Sequence, residues 1–203
     1  GLVIPPRIAP TQVVVIPIYK NDAEKTKVME VADRVFGELK TAGIRTKFDD
    51  REEVTPGFKY NDWEMRGVPL RVEIGPRDVD KGSVALARRD KPGKDGKSFV
   101  PQAGLAAAVG SMLTEIQSSL LAKATAFRDA NIHEPKDYDD LKQIVQDGWA
   151  FAWWCGSAEC EAKVKEDTKA STRNIPLEQP SGHGKCVVCG QDAEQKVYFA
   201  RAY

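Results

Sequence analysis

Gln12-Val13-Val14-Val15-Ile16-Pro17-Ile18, then Asn21-Asp22, then Gly43 followed by Ile44-Arg45-Thr46-Lys47-Phe48, decide the fold class. The first run is short, continuous and β-branched, the pattern of a strand buried on both faces of a parallel or mixed sheet. Asn21-Asp22 offers a helix N-cap. Behind it Val28, Ala32, Val35, Leu39 and Ala42 recur at helical spacing up to Gly43, a suitable C-terminal stop. A second strand, Ile44 to Phe48, follows that glycine directly. The unit is strand, helix, strand, with a right-handed crossover expected, and the first layer is α/β.

Downstream, Asp49 to Asp78 is dense in mixed charge interrupted by Phe58, Tyr60 and Trp63, which reads as a surface for specific recognition. Thr55-Pro56-Gly57 marks a turn, and Phe58 to Met65 a short helix. Leu70, Val72 and Ile74 then alternate with Arg71 and Glu73, predicting a half-buried strand whose two charged side chains stay readable on the other face. A turn at Asp78 to Gly82 leads to a fourth strand, Val84 to Arg88, antiparallel to the third. The loop Arg88 to Lys97 has a local basic excess, and Ser98 to Val100 reads as one more edge strand. Leu105, Val109, Met112, Leu113, Ile116, Leu120 and Phe127 trace one long amphipathic helix that closes the sheet.

Asn131-Ile132-His133-Glu134-Pro135 breaks this pattern and places a domain boundary. Asp137 then caps a helix carrying Leu141, Ile144 and Val145. Trp149 to Trp154 is strand-like, Ser157 caps a helix through Cys160 and Val164, and a Thr/Arg/Pro strand, the Cys186 turn and a last strand, Lys196 to Tyr203, complete the chain. At the other end, Gly1 to Pro10 has a strand's apolar run without a partner before it, as expected of the end of a preceding domain.

With 203 residues, 41% hydrophobic and 30% charged, the chain has ample material for a core. Thirty Lys and Arg balance thirty Asp and Glu, which argues against indiscriminate capture of nucleic acid or anionic membrane and leaves room for selective recognition. No stretch approaches the roughly 18 continuous apolar residues of a membrane span, and no signal-peptide pattern opens the chain. A cytoplasmic protein without a membrane partner is expected.

Cys155 and Cys160 form a Cys-x4-Cys pair and Cys186 and Cys189 a Cys-x2-Cys pair. Four thiolates on two tight turns close a tetrahedral zinc shell with bonds of about 2.3 Å, full and therefore structural. Two other readings stay open: a redox Cys-x2-Cys, and four reduced thiols without metal. His183 is a further candidate ligand or an exposed loop residue. No Walker loop, dinucleotide glycine fingerprint or His-Glu-x-x-His occurs, and no catalytic constellation is visible. For Arg51, Lys59, Glu64, Arg66, Arg71, Glu73 and Arg77 a salt-bridged sheet edge stands beside recognition of unstacked RNA bases, with Phe58, Tyr60 or Trp63 stacking.

Gly1-Leu2-Val3-Ile4-Pro5-Pro6-Arg7-Ile8-Ala9-Pro10, Thr55-Pro56-Gly57-Phe58-Lys59, the run Glu64 to Asp78, and the terminal Val197-Tyr198-Phe199-Ala200-Arg201-Ala202-Tyr203 together resemble the prolyl-tRNA synthetases of the archaeal/eukaryotic type, from end to end. The resemblance implies a C-terminal fragment of a class II aminoacyl-tRNA synthetase. Residues 1–11 would be the remnant of the catalytic domain, with Arg7 matching the ATP-binding arginine of the third class-defining motif. The first two motifs have no counterpart, so the chain alone is not expected to activate proline. Residues 12–132 would be the class IIa anticodon-binding domain, an α/β fold with a mixed five-stranded sheet and three helices, in which Arg51, Lys59, Glu64, Arg66, Arg71, Glu73 and Arg77 face the anticodon loop of proline tRNA and its two guanines. Residues 133–203 would be the family's small C-terminal zinc-binding α/β domain, with Cys155, Cys160, Cys186 and Cys189 on the ligand positions and Tyr203 closing the tail. Relatives differ in whether that site is intact, and this sequence keeps all four thiols. The full-length enzyme implied is a homodimer that joins proline to its tRNA with ATP and Mg²⁺, and a fragment is expected to be largely monomeric. Two rivals remain: a free-standing zinc-stabilised protein-interaction module and a thiol oxidoreductase. Arg71 and Glu73 are expected to be readable at the surface, and the tRNA reading would fail if they were buried against one another inside the helices with no open groove beside them.

Overall fold

The computed structural model describes residues 1–91 and 93–202. The expectations for Tyr203, as a strand end and as the closing residue of the tail, lie outside the described residues. The chain divides into two compact units, Gly1–Lys123 and Ala124–Tyr203.

The first unit is built on a five-stranded mixed sheet. Strand β1 (Val13–Pro17) leads through helix α1 (Asp22–Thr41) to β2 (Thr46–Phe48), and helix α2 (Pro56–Met65) leads on to β3 (Leu70–Ile74). A one-turn helix, α3 (Pro76–Asp80), precedes β4 (Ser83–Arg88), a 3₁₀ turn (Gly93–Gly96) and β5 (Lys97–Pro101), and α4 (Leu105–Ala130) follows. Strand order is β2-β1-β3-β4-β5. β1 runs parallel to β2 and β3, while β3–β4 and β4–β5 are antiparallel.

Every residue of β1 is buried, as its unbroken apolar run predicts. Val13, Val15, Leu70, Val72 and Leu86 meet Val28, Val35 and Leu39 of α1 and Leu105, Val109 and Ile116 of α4 on one face. On the opposite face Val14, Ile16 and Val68 pack with Tyr60 and Trp63 of α2. Asn21 caps α1, its side chain accepting from the Glu24 N–H at 2.9 Å, and Thr55 caps α2 through Phe58 N–H at 3.3 Å, with Pro56 at the first position.

Several boundaries differ from the sequence reading. β2 begins at Thr46, because Arg45 turns back: its backbone N–H donates to the Gln12 side chain at 3.0 Å and its guanidinium holds the Ala9 and Pro6 carbonyls at 2.9 and 3.0 Å. The Asp78 turn is helical, stabilised by Asp78 Oδ2 accepting from Gly75 N–H at 2.9 Å. Helix α4, of 26 residues, is long and apolar enough by composition to cross a membrane, yet Leu105, Val109, Leu113 and Ile116 are buried on the sheet.

The second unit carries a four-stranded sheet in the order β6-β7-β11-β8. Its elements are β6 (Ile132–His133), α5 (Tyr138–Ile144), β7 (Trp149–Trp154), α6 (Ala158–Thr168), β8 (Ala170–Asn174), the small ladder β9 (Gly184–Lys185) and β10 (Asp192–Ala193), and β11 (Gln195–Arg201). The segment read as a break contains β6, which pairs parallel with β7. Leu141, Val145, Ala150, Ala152, Val164, Val197 and Phe199 form the core.

Candidate nucleic-acid interface and metal centre

The two parallel strands β1 and β2 send their chains to helices on opposite faces of the sheet, since α1 packs with one cluster and α2 with the other. Open α/β sheets form ligand crevices outside the carboxyl ends of strands at such a reversal. Two clefts flank the end of β1. One, of about 870 Å³, is lined by Tyr19, Lys20, Gly75, Arg77, Lys81 and Phe99. The other, of about 270 Å³, is lined by Lys20, Asn21, Lys25, Arg51, Glu52 and Lys59.

The seven charged residues singled out in the sequence fall into a connected network and an exposed rim. Arg71 lies 4.4 Å over the Tyr60 ring, pairs with Glu64 and reaches Glu73 at 3.3 Å. Glu73 is only 3% exposed and also accepts from Lys97 Nζ at 2.7 Å. The expectation that Arg71 and Glu73 both stand open is therefore corrected. Their alternation with Leu70, Val72 and Ile74 is as read, but α2 covers the face they occupy, and Glu73 is a counter-ion inside that cover. Burial, with the Glu73 charge beside it, pushes the Tyr60 phenol well above its ordinary range.

Lys59 is likewise buried, donating to the Asp49 carbonyl at 3.0 Å, and burial pushes its ammonium below the usual lysine range against the pull of Asp49. Arg51 is part-exposed and forks onto Asp49 with two contacts of 2.8 Å. Arg66 is exposed, bonds Asp62 at 3.1 Å and covers the Trp63 ring at 5.0 Å. Glu64 is part-exposed, and Arg77 is exposed on α3 at the larger cleft. Of the aromatic candidates, Phe58 is exposed, whereas Trp63 donates to Asp49 Oδ2 at 2.7 Å. Arg7 belongs to neither cleft: it is exposed, and its backbone N–H donates to Gln117 at 3.1 Å.

Asp49 is the residue the sequence reading missed. Its side chain is about 1% exposed and gathers Arg51, Trp63 and Lys59. Burial raises its carboxyl, but the bonds from Arg51 and Trp63 and the Lys59 charge outweigh that and hold it below the usual carboxylate range. The available signal was its place directly after a parallel strand with an arginine two residues on.

In the second unit the four cysteine sulfurs lie within 4.8 Å of one another. Cys155 and Cys160 are 3.6 Å apart and Cys155 and Cys189 3.8 Å, matching the edge of about 3.8 Å that four zinc bonds of about 2.3 Å impose. Ser157 caps α6 and sets Cys160 in its first turn. The second pair sits on a knuckle closed by Cys186 N–H to Gln191 O at 2.7 Å and Gly190 N–H to Cys186 O at 2.8 Å, and Gly190 takes φ of +72°, which favours glycine. Among the described residues, the one buried side-chain donor without a partner is Trp154 Nε1, packed against this sulfur cluster. Burial pushes the Cys160 thiol up. Cys186 is held at about 7, because backbone N–H groups of Cys189, Cys155 and Val188 outweigh its burial. The donor set fits one tetrahedral soft metal ion, and His183 is not part of it.

The family described as "Anticodon binding domain" matches residues 12–99, and that described as "Prolyl-tRNA synthetase, C-terminal" matches residues 138–203. The proline–tRNA ligase of Roseiflexus castenholzii is 54% identical over 203 residues, covering 100% of this chain and 42% of the relative. The chain carries an anticodon-binding domain and a prolyl-tRNA synthetase C-terminal domain.

Other proteins are also similar along the whole chain. The chloroplastic/mitochondrial proline–tRNA ligase of Arabidopsis thaliana is 49% identical, covering 100% of this chain and 38% of the relative. The crystal structure of prolyl-tRNA synthetase from Cryptosporidium parvum, complexed with L-proline and AMP, matches with a TM-score of 0.90 at 36% identity, over 100% of this chain and 43% of that one. The chain thus spans about two-fifths of the length of these proteins. The anticodon-binding match contains Arg51 to Arg77 and both clefts, the C-terminal match contains all four cysteines, and Arg7 lies in neither.

Proposed function

We propose that this chain is the tRNA-selecting part of a proline–tRNA ligase and that its first unit binds the anticodon loop of proline tRNA at the carboxyl ends of β1, β2 and β3. The observation that carries this is the pair of clefts flanking β1, edged by Lys20, Arg51, Arg77 and Lys81, within the anticodon-binding match. Arg51, Arg66 and Arg77 are the outward donors of that surface. Lys59, Glu64, Arg71 and Glu73 shape it, Arg71 through the one face of its guanidinium not stacked on Tyr60. Residues 12–132 would form the anticodon-binding domain and 133–203 the C-terminal domain.

Cys155, Cys160, Cys186 and Cys189 would hold one Zn²⁺. Bound there, the ion supplies charge neutralisation and cross-linking of two turns, with all four positions filled by protein and none left for a reacting water. In the longer enzyme, ATP, Mg²⁺ and proline would be engaged by the part preceding this segment, with Arg7 contributing to ATP, as a cytoplasmic homodimer.

The test is a titration of the chain with the anticodon stem-loop of proline tRNA and with the same loop carrying both guanines replaced. Selective binding that weakens with salt is expected; equal affinity for the two loops would remove the sequence-reading claim.

A further inference from the structure

The smaller cleft holds an arginine whose environment is unusual for a phosphate contact. Arg51 Nε and Nη2 each donate to Asp49 at 2.8 Å, and Nη2 also donates to Asp62 at 2.9 Å. A guanidinium has five N–H donors. Three are thus committed to two carboxylates, and the two on Nη1 have no partner among the described residues. The Arg51 side chain is 32% exposed and lines the cleft of about 270 Å³ between the ends of β1 and β2.

We infer that Asp49 is a positioning residue that, with Asp62, clamps Arg51 so that its Nη1 group is aimed into this cleft, where Arg51 reads an acceptor on a base edge and not a phosphate. The inference deepens the tRNA-loop reading and rests on it. Two arguments carry it. Asp49 is too buried to touch RNA itself, yet the same carboxylate receives Trp63 Nε1 at 2.7 Å, so α2, which supplies Asp62, and the end of β2 are locked to one point. Arg51 therefore loses little freedom on binding, and orientation is what discriminates one base edge from another.

The second argument is electrostatic. Arg51 faces two carboxylates, Lys25 is paired with Glu52 at 2.6 Å, and Lys59 stands 4.0 Å from Asp49. Counting the lining residues with the two carboxylates bonded to Arg51, the cations Lys20, Lys25, Arg51 and Lys59 are balanced in number by Asp22, Glu52, Asp49 and Asp62, which leaves little net positive charge to draw a phosphate. What remains is a directed, nearly neutralised donor pair, suited to an uncharged acceptor such as a base carbonyl or ring nitrogen.

The experiment compares wild type with Arg51→Lys, Arg51→Gln, Asp49→Asn and the Asp49→Asn/Arg51→Lys double variant. Each is titrated with the native and the guanine-replaced stem-loop over a salt series, below its own melting temperature. Arg51→Lys keeps the charge and loses the fork, and its preference for the native loop should fall about tenfold. Asp49→Asn should fall similarly, and the double variant no further, since both remove one unit. Arg51→Gln should lose the same preference with an unchanged salt slope. An Arg51→Gln protein that keeps its preference while the slope drops by about one would make Arg51 a phosphate contact and overturn the inference. So would an Asp49→Asn protein with a lower melting temperature and intact preference; where Asp49→Asn does not fold, Asp62→Asn is held to the same standard. Wild type without any preference would overturn the tRNA-loop reading, and this inference with it.

Discussion

The two units solve the problem of holding a twisted sheet in opposite ways. In the first, β1 is apolar throughout and covered on both faces, so α1 and α4 on one side and α2 on the other bury large Val, Leu and Ile side chains. The polar network around Asp49 sits at the edge of that core, joined to it through Trp63. In the second, the core is made largely of Val and Ala around Phe199, and the short link from β7 into α6 and the turn between β9 and β10 are gathered at four sulfurs. A unit of that size buries proportionally less surface. The difference is that the first unit sets its polar network on a backbone already fixed by packing, while the smaller unit gathers four thiols able to hold a metal ion.

Removing the metal should break the comparison most visibly. Structural zinc contributes on the order of 10 kcal/mol to small domains, so chelation, or Cys186→Ser, should abolish amide protection in β7, β9, β10 and β11 while α1 and β1 keep theirs. Hydrogen exchange read by mass spectrometry, with zinc counted per chain, checks this; one zinc per chain is expected. Equal protection with and without chelator would show that the second unit holds itself together.

Next in size, Leu39→Ala opens a cavity in the fully buried face of α1 and should cost about 3 kcal/mol, lowering the first unit's melting transition and leaving the second unit's in place. Two-transition calorimetry distinguishes them, and a shift of both together would contradict their independence.

Asp49→Asn should cost about 1–3 kcal/mol in the first unit by leaving donors unmatched. It also has a pH signature. Because the folded carboxyl is held below its ordinary value, its contribution is complete above the unfolded value near ~4 and is lost as pH falls through the lower folded value. Wild type should therefore lose stability below about pH 4 more steeply than Asp49→Asn, as denaturant melts across that range would show.

The smallest effect sharpens the role of α2. Thr55→Ala removes its N-cap bond and should cost about 1 kcal/mol, with local fraying of Gly57 to Lys59 visible in amide exchange and no change in the cysteine knuckle.

Much of this architecture was legible because apolar periodicity carries it: the β1 run, the α1 and α4 stripes and the Leu70, Val72, Ile74 alternation each appear where their spacing places them. The cysteine quartet was legible for a different reason, since two tight pairs admit few arrangements. The fate of Arg71 and Glu73 was not legible. Alternation tells which residues share a face, not whether a helix lies across it, and α2 has too weak an apolar stripe for its docking on that face to be read in advance. Asp49 escaped for a related reason: a carboxylate after a strand looks like a solvated loop residue until Trp63, fourteen positions on, is seen to need its oxygen.

The central claim, that RNA is read at the carboxyl ends of the first unit's parallel strands, is tested most directly by following backbone amide resonances during titration with the anticodon stem-loop of proline tRNA. The account predicts the largest shifts at residues 18–25, 51–66 and 75–81, with residues 184–193 unmoved. Shifts concentrated in the cysteine knuckle, or absent from the two clefts beside β1, would contradict it.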